Sequence, residues 1–354
     1  MEDDFLSILK AKKKLNIQYP SYKEITYFYL KKSDRYNYIK ERISRNKLHF
    51  EELTNGFDIK PVNYQSKKSF FTYGTIIITQ DKEIFLYNNT DSSNDTLIKL
   101  NLDYWQRFSL FNSQLVLIRG KNVGNNELVV EGINCMPVLD VNKSESSNDY
   151  KIMAINQLKD VEIKADLVIF IGCVNIKEMK KLVENNESTV FIHVPTLDQL
   201  DNINVYPQPP SKYRINNLKT LPNPCSFFID DRMFIVNTLP ILDELMSQEV
   251  FRNENVPKDD LCGDILFEKD LINRLCYHLI FQKSYLPMVS KKYNVQYNIE
   301  ALDIDITPDF YIIRSEKFGY FCREIGPTKI INIGTLYNFL INIQGDNIQM
   351  NILE

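Results

Sequence analysis

Short apolar runs alternate with polar, turn-forming stretches from Phe71 onward. The runs are rich in β-branched and aromatic residues, which favour strands. The stretches between them, such as NNTDSSND and VGNN, carry Asn, Asp, Ser and Gly, which favour turns. Five strands are predicted between Phe71 and Asn134: FTYGTIIIT, EIFLYNN, TLIKLNL, QLVLIRGKN and NELVVEGIN.

One segment between the third and fourth runs has a different pattern. LDYWQRFSLF, residues 102–111, predicts a short helix in that gap. Five strands with one helix after the third are the arrangement of an OB-fold, which is a small Greek-key β-barrel. The pattern therefore predicts an OB-fold domain over residues 69–141.

The pattern changes again after the polar stretch NKSESSND at residues 142–149, which predicts a linker. ADLVIFIG is a continuous apolar run, typical of a strand whose sheet is covered on both faces. NIKEMKKLVE, residues 175–184, has helical spacing and predicts a crossover between two strands. The other predicted elements are the strands YKIMAI and STVFIHV, a hairpin of CSFFI and MFIVN that turns at Asp230 and Asp231, and the amphipathic helix DLINRLCYHLIFQ.

We expect an α/β protein with an added β-barrel domain. The first part of the chain is polar and its pattern is helical, with Tyr-rich stretches such as ITYFYL and RYNYIKERI. The predicted boundaries are 1–68 for a short helical N-terminal segment, 69–141 for the barrel and 142–354 for the α/β domain.

The composition is that of a globular protein, with 44% hydrophobic and 25% charged residues. The net charge of −4 and the pI near 5.6 provide no general basic field, so we expect any DNA contact to be local, weak or indirect. The six cysteines show no C-x-x-C spacing, which predicts reduced thiols in the nucleus or cytosol. The start MEDDF is acidic where a signal peptide would be basic, and no apolar run is long enough to span a membrane. The sequence therefore predicts a protein that is neither secreted nor inserted in a membrane. The lysine cluster at residues 10–14 fits a nuclear import signal or a solvated helix face.

The carboxyl ends of the predicted strands are where an α/β sheet binds its ligands. The strands end at Asn156, at Gly172 and at Thr196, and this layout resembles that of the calcineurin-like metallophosphoesterases. Those enzymes hold two metals with D-x-H, G-D-x-x-D, G-N-H and G-H-x-H motifs, because a two-metal site needs converging carboxylates and imidazoles. This chain has three histidines, none of them two residues after an Asp, and Cys173 stands where the bridging Asp would follow Gly172. The sequence therefore predicts no catalytic residue, no metal and no cofactor.

Other candidate residues have structural explanations. His193 stands where the G-N-H histidine would lie, but it also fits a histidine buried on a strand or capping it. Asp230 and Asp231 fit a tight hairpin turn better than an acid–base pair. GKN at residues 120–122 lacks the rest of a P-loop, and no G-x-S-x-G occurs. The aspartates of LDIDITPD alternate like the solvent side of a strand: Asp303, Asp305 and Asp309.

OB-folds bind single strands of nucleic acid through a basic groove with stacking aromatic rings. Between Phe71 and Asn134 there are five Lys and Arg residues against seven Asp and Glu residues. This negative balance favours rings that are buried or that face protein over rings that stack on bases. The rings concerned are Phe71, Tyr73, Phe85, Tyr87 and Trp105.

The stretch VYPQPPSKY, residues 205–213, combines three prolines with two tyrosines. Proline fixes φ and restricts the residue before it, so this strip is predicted to be stiff and extended. It fits a loop pinned over a core, or a rigid edge that docks a partner at low entropic cost. The candidate partner-interface residues are Tyr206, Pro207, Pro209, Pro210 and Tyr213, together with Tyr285 in QKSYLP.

Together these segments resemble one family, the B subunits of the replicative DNA polymerases. The resemblance covers most of the chain, from about Leu30 to Leu340. VYPQPP and TPD are similar to the alpha branch of the family, whereas the small subunits of the delta and epsilon polymerases share the architecture. The segments that carry the resemblance, in the family's order, are FSLFNSQLVLIRGKNVGNNELVVEGI, VYPQPP, PCSFFIDDRMFIVNT, QKSYLP and ITPDFYIIRS.

The resemblance implies an OB-fold packed on a calcineurin-like phosphoesterase domain that lacks its metal ligands. It also implies a non-catalytic scaffold in the nucleus that supports the initiation of DNA replication. The implied partners are the C-terminal domain of the polymerase alpha catalytic subunit and, through that complex, primase. Larger members carry a further folded N-terminal domain, and with residues 1–68 alone before the barrel we expect no recruitment through such a module.

Three other functions stay open at this point. The chain fits a small subunit of polymerase delta or epsilon, which the identity of the co-purifying large chain would reveal. It also fits an active metallophosphoesterase with unusual ligands, for which Mn²⁺ binding and phosphodiester hydrolysis are the signs. The third is an autonomous single-strand DNA-binding protein, which needs a basic face on the barrel that the residue count does not show.

Overall fold

The structure is a computed structural model of the chain. It describes residues 15–20, 32–54, 56–88, 96–105, 107–134, 149–158, 161–172, 175–197, 205–253, 270–345 and 347–353. Some predicted features therefore lie outside the described residues: the lysine cluster at 10–14, ITYFYL, most of NNTDSSND, and the linker up to residue 148.

Contacts divide the chain into two compact units. We call the first the sheet unit, and it comprises Met1–Tyr27, Asn142–Pro240 and Pro308–Glu354. The second is the barrel unit, which comprises Phe28–Val141 and Ile241–Thr307. The predicted α/β domain began at residue 142, whereas the segment 241–307 within it has its contacts in the barrel unit. The domain boundaries themselves stay a prediction.

The described residues form short helices and many strands. The helices are α1 Lys32–Arg45, α2 Lys47–Leu53, α3 Ile176–Glu184, α4 Ile241–Gln248, α5 Leu271–Phe281 and α6 Ile299–Leu302. The strands up to residue 155 are β1 Ile17–Gln18, β2 Ser66–Ile78, β3 Ile84–Asn88, β4 Thr96–Asn101, β5 Arg107–Leu110, β6 Leu115–Asn122, β7 Glu127–Asn134 and β8 Tyr150–Ile155. The later strands are β9 Leu167–Ile171, β10 Val190–Val194, β11 Leu218–Thr220, β12 Cys225–Ile229, β13 Arg232–Asn237, β14 Val250–Asn253, β15 Phe310–Ile313, β16 Phe321–Ile325, β17 Thr328–Asn332, β18 Asn338–Gln344 and β19 Asn347–Leu353.

A closed barrel of five strands forms the centre of the barrel unit, in the order β2-β3-β4-β7-β6. Neighbouring strands are antiparallel except β4 and β7, which run parallel. All five barrel strands predicted from the sequence are confirmed, and their order is consistent with an OB-fold. Alternate side chains of each strand fill the interior, among them Ile76, Leu86, Ile98, Val116 and Leu128.

Two glycines allow neighbouring barrel strands to approach closely. A Cβ atom on Gly74 would lie 2.3 Å from the carbonyl oxygen of Tyr87, and one on Gly120 would lie 2.5 Å from that of Val129. Backbone atoms at these distances have to move apart, so a side chain at either position would open the ladder between the strands.

The helix predicted at residues 102–111 is wrong in the described part of that segment. Arg107–Leu110 form β5, which pairs antiparallel with β14 in a two-stranded sheet. Phe108 and Leu110 are buried in the barrel core. A local apolar pattern does not show a partner strand that lies far along the chain, and here that pairing overrides the helical spacing.

Helix α1 confirms the helical prediction for RYNYIKERI. Its Arg42 is 2% exposed and is held by backbone oxygens of the same unit. The guanidinium donates to the carbonyl oxygens of Ser113, Pro287 and Gln282 at 3.3, 3.1 and 2.9 Å. Because each donation goes to a neutral carbonyl, this buried cation is satisfied by several hydrogen bonds and needs no fully buried carboxylate.

Two mixed sheets of six strands each form the sheet unit. Their orders are β1-β12-β13-β15-β17-β16 and β11-β10-β9-β8-β18-β19. The strands β8, β9 and β10 run parallel, and α3 connects β9 to β10, which confirms the predicted crossover. The hairpin of β12 and β13 is also confirmed, with Ile229 paired to Arg232 around the two-residue turn.

A single buried cluster takes side chains from both sheets of this unit. Ile152, Ile169 and Ile192 come from one sheet, and Phe227 and Phe234 come from the other. Helix α3 packs on the second face of the β8–β9–β10 region through Met179 and Val183. Both faces of these parallel strands are therefore covered, which explains the continuous apolar run of β9. No helix among the described residues is long and apolar enough to cross a membrane.

Candidate functional site at the strand ends of the sheet unit

Neutral polar residues follow the parallel strands of the sheet unit. Asn156 comes after β8, Thr196 lies just beyond β10, and Thr238 comes directly after β13. The Thr238 hydroxyl donates to the carbonyl oxygen of Pro195 at 2.7 Å, which joins the ends of β10 and β13. These threonines and Asn156 are at most 7% exposed.

Gln208 of the proline strip lies in the same region and is completely buried. Its Nε2 donates to the carbonyl oxygen of Thr196 at 3.0 Å, and its Oε1 accepts from Nδ2 of Asn223 at 2.8 Å. The backbones of Gln208 and Asn223 also exchange two hydrogen bonds of 2.7 and 3.0 Å. Asn223 Oδ1 in turn accepts from the backbone N–H of Thr238 at 3.0 Å. We call Thr196, Gln208, Asn223 and Thr238 the amide network.

The amide network holds together four segments that are separated in sequence: the end of β10, the proline strip, the residues just before β12 and the end of β13. Amide and hydroxyl groups are neutral, and a divalent cation at a catalytic site needs carboxylate or imidazole ligands. No group of three or more His, Cys, Asp or Glu residues in the described chain is placed to hold a metal ion. Gln208 was missed from the sequence, where the only signal was a polar residue held between two prolines.

The predicted interface residues differ in exposure. Tyr206 and Pro207 are buried, Pro209 and Tyr213 are half-buried, and Pro210 is exposed. The structure therefore gives the strip an internal anchor and an outer edge. That this edge contacts a partner stays a prediction.

Tyr285, the sixth predicted interface residue, lies in the barrel unit and is 9% exposed. Its backbone N–H donates to the carbonyl oxygen of Leu302 at 2.7 Å. The neighbouring Ser284 hydroxyl donates to the same carbonyl oxygen at 3.0 Å. The QKSYLP segment is thus tied into its own unit, and its predicted partner contact is likewise untested.

His193 is a buried histidine on β10, which confirms the structural interpretation of this residue. Its side chain is on the face covered by α3, where its ring lies edge-on to Tyr213 at a centroid distance of 5.1 Å. Burial lowers the pKa of His193 to about 4, although a hydrogen bond with the backbone of Gly172 opposes the shift. Gly172 has φ +91°, which explains a glycine at the end of β9 by backbone conformation alone.

The lowered pKa of His193 predicts a loss of stability in acid. The imidazole takes up a proton near pH 6.5 in the unfolded chain but only near pH 4 in the folded chain, so stability falls as the pH drops from 6.5 towards 4. Between pH 7.5 and pH 5 we expect a loss of about 2 kcal/mol from this residue. Urea unfolding at the two pH values measures it. The His193→Phe variant keeps a ring against Tyr213 and should lose correspondingly less, whereas an equal loss in both proteins would contradict the assignment.

The aspartates take structural positions. Asp230, with φ +51°, lies in the turn of the β12–β13 hairpin, and the hydroxyl of Tyr150 donates to its Oδ2 at 2.8 Å. Asp309 Oδ2 accepts from the backbone N–H of Met233 at 2.7 Å and precedes β15. The turn prediction for Asp230 and Asp231 is thereby confirmed.

The prediction that Asp303, Asp305 and Asp309 alternate along a strand is wrong. Strand β15 begins only at Phe310, because Pro308 removes a ladder donor just before it. Asp303 lies in the barrel unit, with Oδ2 3.9 Å from Nη1 of Arg45. Burial raises the pKa of Asp303 to about 6, although the positive charges of Arg42 and Arg45 act to lower it.

A second polar cluster, which the sequence did not reveal, lies inside the barrel unit. Glu249 accepts hydrogen bonds from the Ser109 hydroxyl on β5 and from Arg274 on α5, with Arg274 Nε at 2.5 Å and Nη2 at 3.1 Å. Ser109 Oγ also lies 2.6 Å from Nε2 of His278. We call Ser109, Glu249, Arg274 and His278 the carboxylate cluster.

The carboxylate cluster contains the three residue types of a hydrolytic triad but not its geometry. A triad places the acid on the imidazole nitrogen opposite to the serine. Here Glu249 lies 3.8 Å from Nε2 of His278, the same nitrogen that Ser109 contacts. All four residues are buried or nearly so, and their hydrogen bonds join β5, the start of β14 and α5. The cluster is therefore an internal brace of the barrel unit.

The barrel aromatics are mixed in exposure. Tyr73 and Trp105 are buried, which agrees with the core prediction, whereas Phe71, Phe85 and Tyr87 are half-buried. The described cysteines, Cys225, Cys276 and Cys322, are not joined in disulfides.

Comparisons with known proteins agree on one family. The family model for the B subunits of DNA polymerases alpha and epsilon matches residues 161–323. The B subunit of DNA polymerase alpha from Mus musculus is 24% identical over 170 residues, which cover 45% of this chain and 26% of that protein. The protein of the same name from Dictyostelium discoideum is 34% identical over 86 residues, which cover 23% of this chain and 14% of that protein. The chain thus spans about a quarter or less of the length of the curated relatives it matches.

Residues 161–323 of this chain are thus similar to the B subunits of DNA polymerases alpha and epsilon, and the chain also contains a closed barrel of five strands and a unit of two mixed sheets.

Proposed function

We propose that this chain is a non-catalytic accessory subunit of the DNA polymerase alpha–primase complex in the nucleus. In this proposal it binds the C-terminal domain of the catalytic subunit, contacts primase through the complex and supports the initiation of DNA replication. The observation that supports the non-catalytic part is the amide network, because the buried groups that it joins beyond β10 and β13 are neutral amides and hydroxyls.

Two further features support an inactivated, calcineurin-like sheet unit with the barrel as an OB-fold. The two sheets share one core, and α3 covers the second face of the parallel strands. His193 lies on that helix-covered face with a pKa lowered by burial, so its imidazole is packed within the unit and does not point out from a strand-end loop.

The assignment to polymerase alpha is supported by the curated relatives, which are named as B subunits of DNA polymerase alpha. The family description also includes epsilon. Affinity purification of the tagged chain from its own cells, followed by identification of the large chain, separates the two: the polymerase alpha catalytic subunit and primase are expected, and the epsilon catalytic subunit would overturn the assignment.

The partner contact is tested with the outer edge of the proline strip. We expect a stable one-to-one complex with the C-terminal domain of the catalytic subunit, and Pro210→Asp should weaken it at least about fivefold because it places a charge on the exposed edge of the strip. The matched control is Asn347→Asp, which adds the same charge at an exposed residue of β19. If both variants bind like the unsubstituted chain, the strip is not the docking edge; if no complex forms at all, the scaffold proposal fails.

The non-catalytic part has its own test. Purified protein titrated with Mn²⁺ should show no stoichiometric binding by calorimetry and no hydrolysis of a chromogenic phosphodiester. Binding of two equivalents of Mn²⁺ with turnover would show an active phosphoesterase and overturn this part, whatever the outcome of the complex-formation assay.

A further inference from the structure

The two sheets of the sheet unit have four edge strands within the part of the chain that the structure describes. One sheet ends at β1 and β16, and the other ends at β11 and β19. An edge strand presents unpaired backbone N–H and C=O groups, so proteins keep edge strands short or place charged residues on them. Strand β1 has two residues, β11 has three and includes Lys219, and β16 carries Arg323 and Glu324. Three of the four edges are therefore protected against pairing with a further strand.

Strand β19 has none of these protective features. Its seven residues, NIQMNIL, include no charged residue and no proline, and it pairs with β18 along its whole length. In an antiparallel ladder, alternate residues direct both of their backbone groups to the same side. Every second residue of β19 therefore directs its N–H and C=O away from β18, to the side where no described strand pairs with it.

The side chains of β19 alternate between apolar and amide groups. Ile348, Met350 and Ile352 are half-buried and pack against the core between the two sheets, whereas Gln349 and Asn351 are exposed. The sheet covers this apolar row on one side only, so a further strand would complete its burial. We call residues 348–353 the β19 edge, which leaves out the residue beside the turn from β18.

The other sheet leaves the same side of the core open. Tyr320, just before β16, is 53% exposed, and its ring lies 5.6 Å from that of Phe339, the β18 partner of Ile352. Cys322 on β16 is half-buried against the same core as the apolar row of β19. The core thus has room for further apolar side chains between β19 and β16.

We propose that the β19 edge binds an extended, uncharged segment of a partner protein, which adds a seventh strand to this sheet of six. Backbone hydrogen bonds hold the segment, and apolar side chains at every second position cover Ile348, Met350 and Ile352. The edge itself is uncharged, and β16 carries one charge of each sign, Arg323 and Glu324, so the surface favours a segment without net charge.

The size of the edge favours a segment over a second copy of the chain. At about 3.3 Å per residue the whole of β19 is about 23 Å long, and a depth of about 10 Å between sheets gives on the order of 230 Å² of contact. Folded partners in a stable complex each bury about 800 Å². Pairing of two β19 edges is therefore too small for a stable dimer, whereas an extended segment brings no second folded body that the edge has to hold.

The test measures the binding of a peptide to the full chain by fluorescence anisotropy. The probe is fluorescein-labelled NFLINIQ, the sequence of β18, because β18 is the strand that β19 already pairs with. We expect saturable binding at micromolar concentrations that does not depend on salt, because no charged groups take part. The same peptide with N-methylated backbone amides keeps its side chains but lacks the donors, so it should bind at least about tenfold more weakly.

Two lysine variants at adjacent residues show which face of β19 the peptide covers. Met350→Lys places a charge in the apolar row and should weaken binding at least about tenfold. Asn351→Lys places the same charge on the exposed face and should bind within about twofold of the unsubstituted chain. Asn216→Lys, in an exposed turn before β11, is the control at the opposite edge of the same sheet and should bind unchanged.

Hydrogen exchange of the unsubstituted chain adds a measurement that needs no variant. The amides of residues 348–353 should exchange more slowly with the peptide bound, whereas those of β11 should not change. The proposal is overturned if NFLINIQ does not bind, if the N-methylated peptide binds equally well, or if Asn351→Lys weakens binding as much as Met350→Lys. It is also overturned if the chain alone sediments as a dimer that Met350→Lys makes monomeric, because a second copy would then occupy the edge. Assembly with the polymerase catalytic subunit is measured separately, so either proposal can fail alone.

Discussion

Gln208→Glu is expected to lower the free energy of unfolding by about 3–5 kcal/mol at pH 7.5, because it introduces an unpaired buried charge. In the native chain Nε2 of Gln208 donates to the carbonyl oxygen of Thr196 at 3.0 Å. Glutamate has the same shape but replaces this donor with a charged oxygen that faces the carbonyl. The other members of the amide network, Asn223 and Thr238, are neutral and provide no compensating cation.

The pH dependence of the stability loss in Gln208→Glu is a sharper test than the magnitude of that loss. Burial raises the pKa of a carboxyl group in the folded chain above its value in the unfolded chain. The variant therefore keeps its stability at a pH below the pKa of the unfolded chain and loses it as the pH rises through the pKa of the folded chain. The deficit relative to the unsubstituted chain should therefore be smaller at pH 5 than at pH 7.5 when both are measured by urea unfolding. Gln208→Leu is the control, with a pH-independent deficit of about 2 kcal/mol from lost hydrogen bonds. A Gln208→Glu variant as stable as the native chain at pH 7.5 would mean that the region is open to water, and it would weaken the case against a metal site.

The sequence predicted the elements whose signal is local. The five barrel strands, the crossover helix α3 and the β12–β13 hairpin each carry their own period or turn residues, and all are present. Strand β5 was missed because its partner β14 lies far along the chain, and the apolar positions of a four-residue strand do not exclude a helix. The alternating aspartates from Asp303 to Asp309 suggested a strand, although Pro308 stands within that run.

At the candidate site the sequence predicted that metal ligands and catalytic residues are absent. The three histidines and the residues at the strand ends predicted that a two-metal site lacks its ligands, but they did not show which groups lie beyond these strands. The amide network joins Thr196, Gln208, Asn223 and Thr238, which only the folded chain brings together.

Glu249→Ala is the second change with a large expected effect, a loss of about 3–5 kcal/mol in the free energy of unfolding at pH 7.5, because it removes the carboxylate that is paired with the buried guanidinium of Arg274. The side chains of Arg274 and Glu249 are only 6% and 5% exposed, and they share two hydrogen bonds. Arg274 would keep its contact with the ring of Phe251 at 3.6 Å, but a cation over a ring does not replace a carboxylate.

The native protein should also lose stability in acid through this carboxylate. Burial alone would raise the pKa of Glu249, but the nearby His278 and the hydrogen bonds from Arg274 and Ser109 outweigh it and lower the pKa to about 2. A lowered carboxyl pKa contributes stability that is present above the ordinary value of 4.5 and is lost as the pH falls towards 2, in total about 3 kcal/mol. Urea unfolding between pH 5 and pH 3 measures about 2 kcal/mol of this loss, and Glu249→Gln should lack it.

A double-mutant cycle with Arg274→Met distinguishes a brace from independent polar contacts. If the carboxylate cluster holds β5 and β14 to α5 as a unit, removing both residues costs about 1–3 kcal/mol less than the sum of the single losses, because each single substitution already removes the ion pair between them. Additive losses would show that Glu249 and Arg274 act separately. Coupling would place the stability of the two-stranded sheet, and with it Phe108 and Leu110 in the barrel core, under the control of residues 249–278. The segment 241–307 would then be a structural part of the barrel unit, although the sequence suggested that it belongs to the α/β domain.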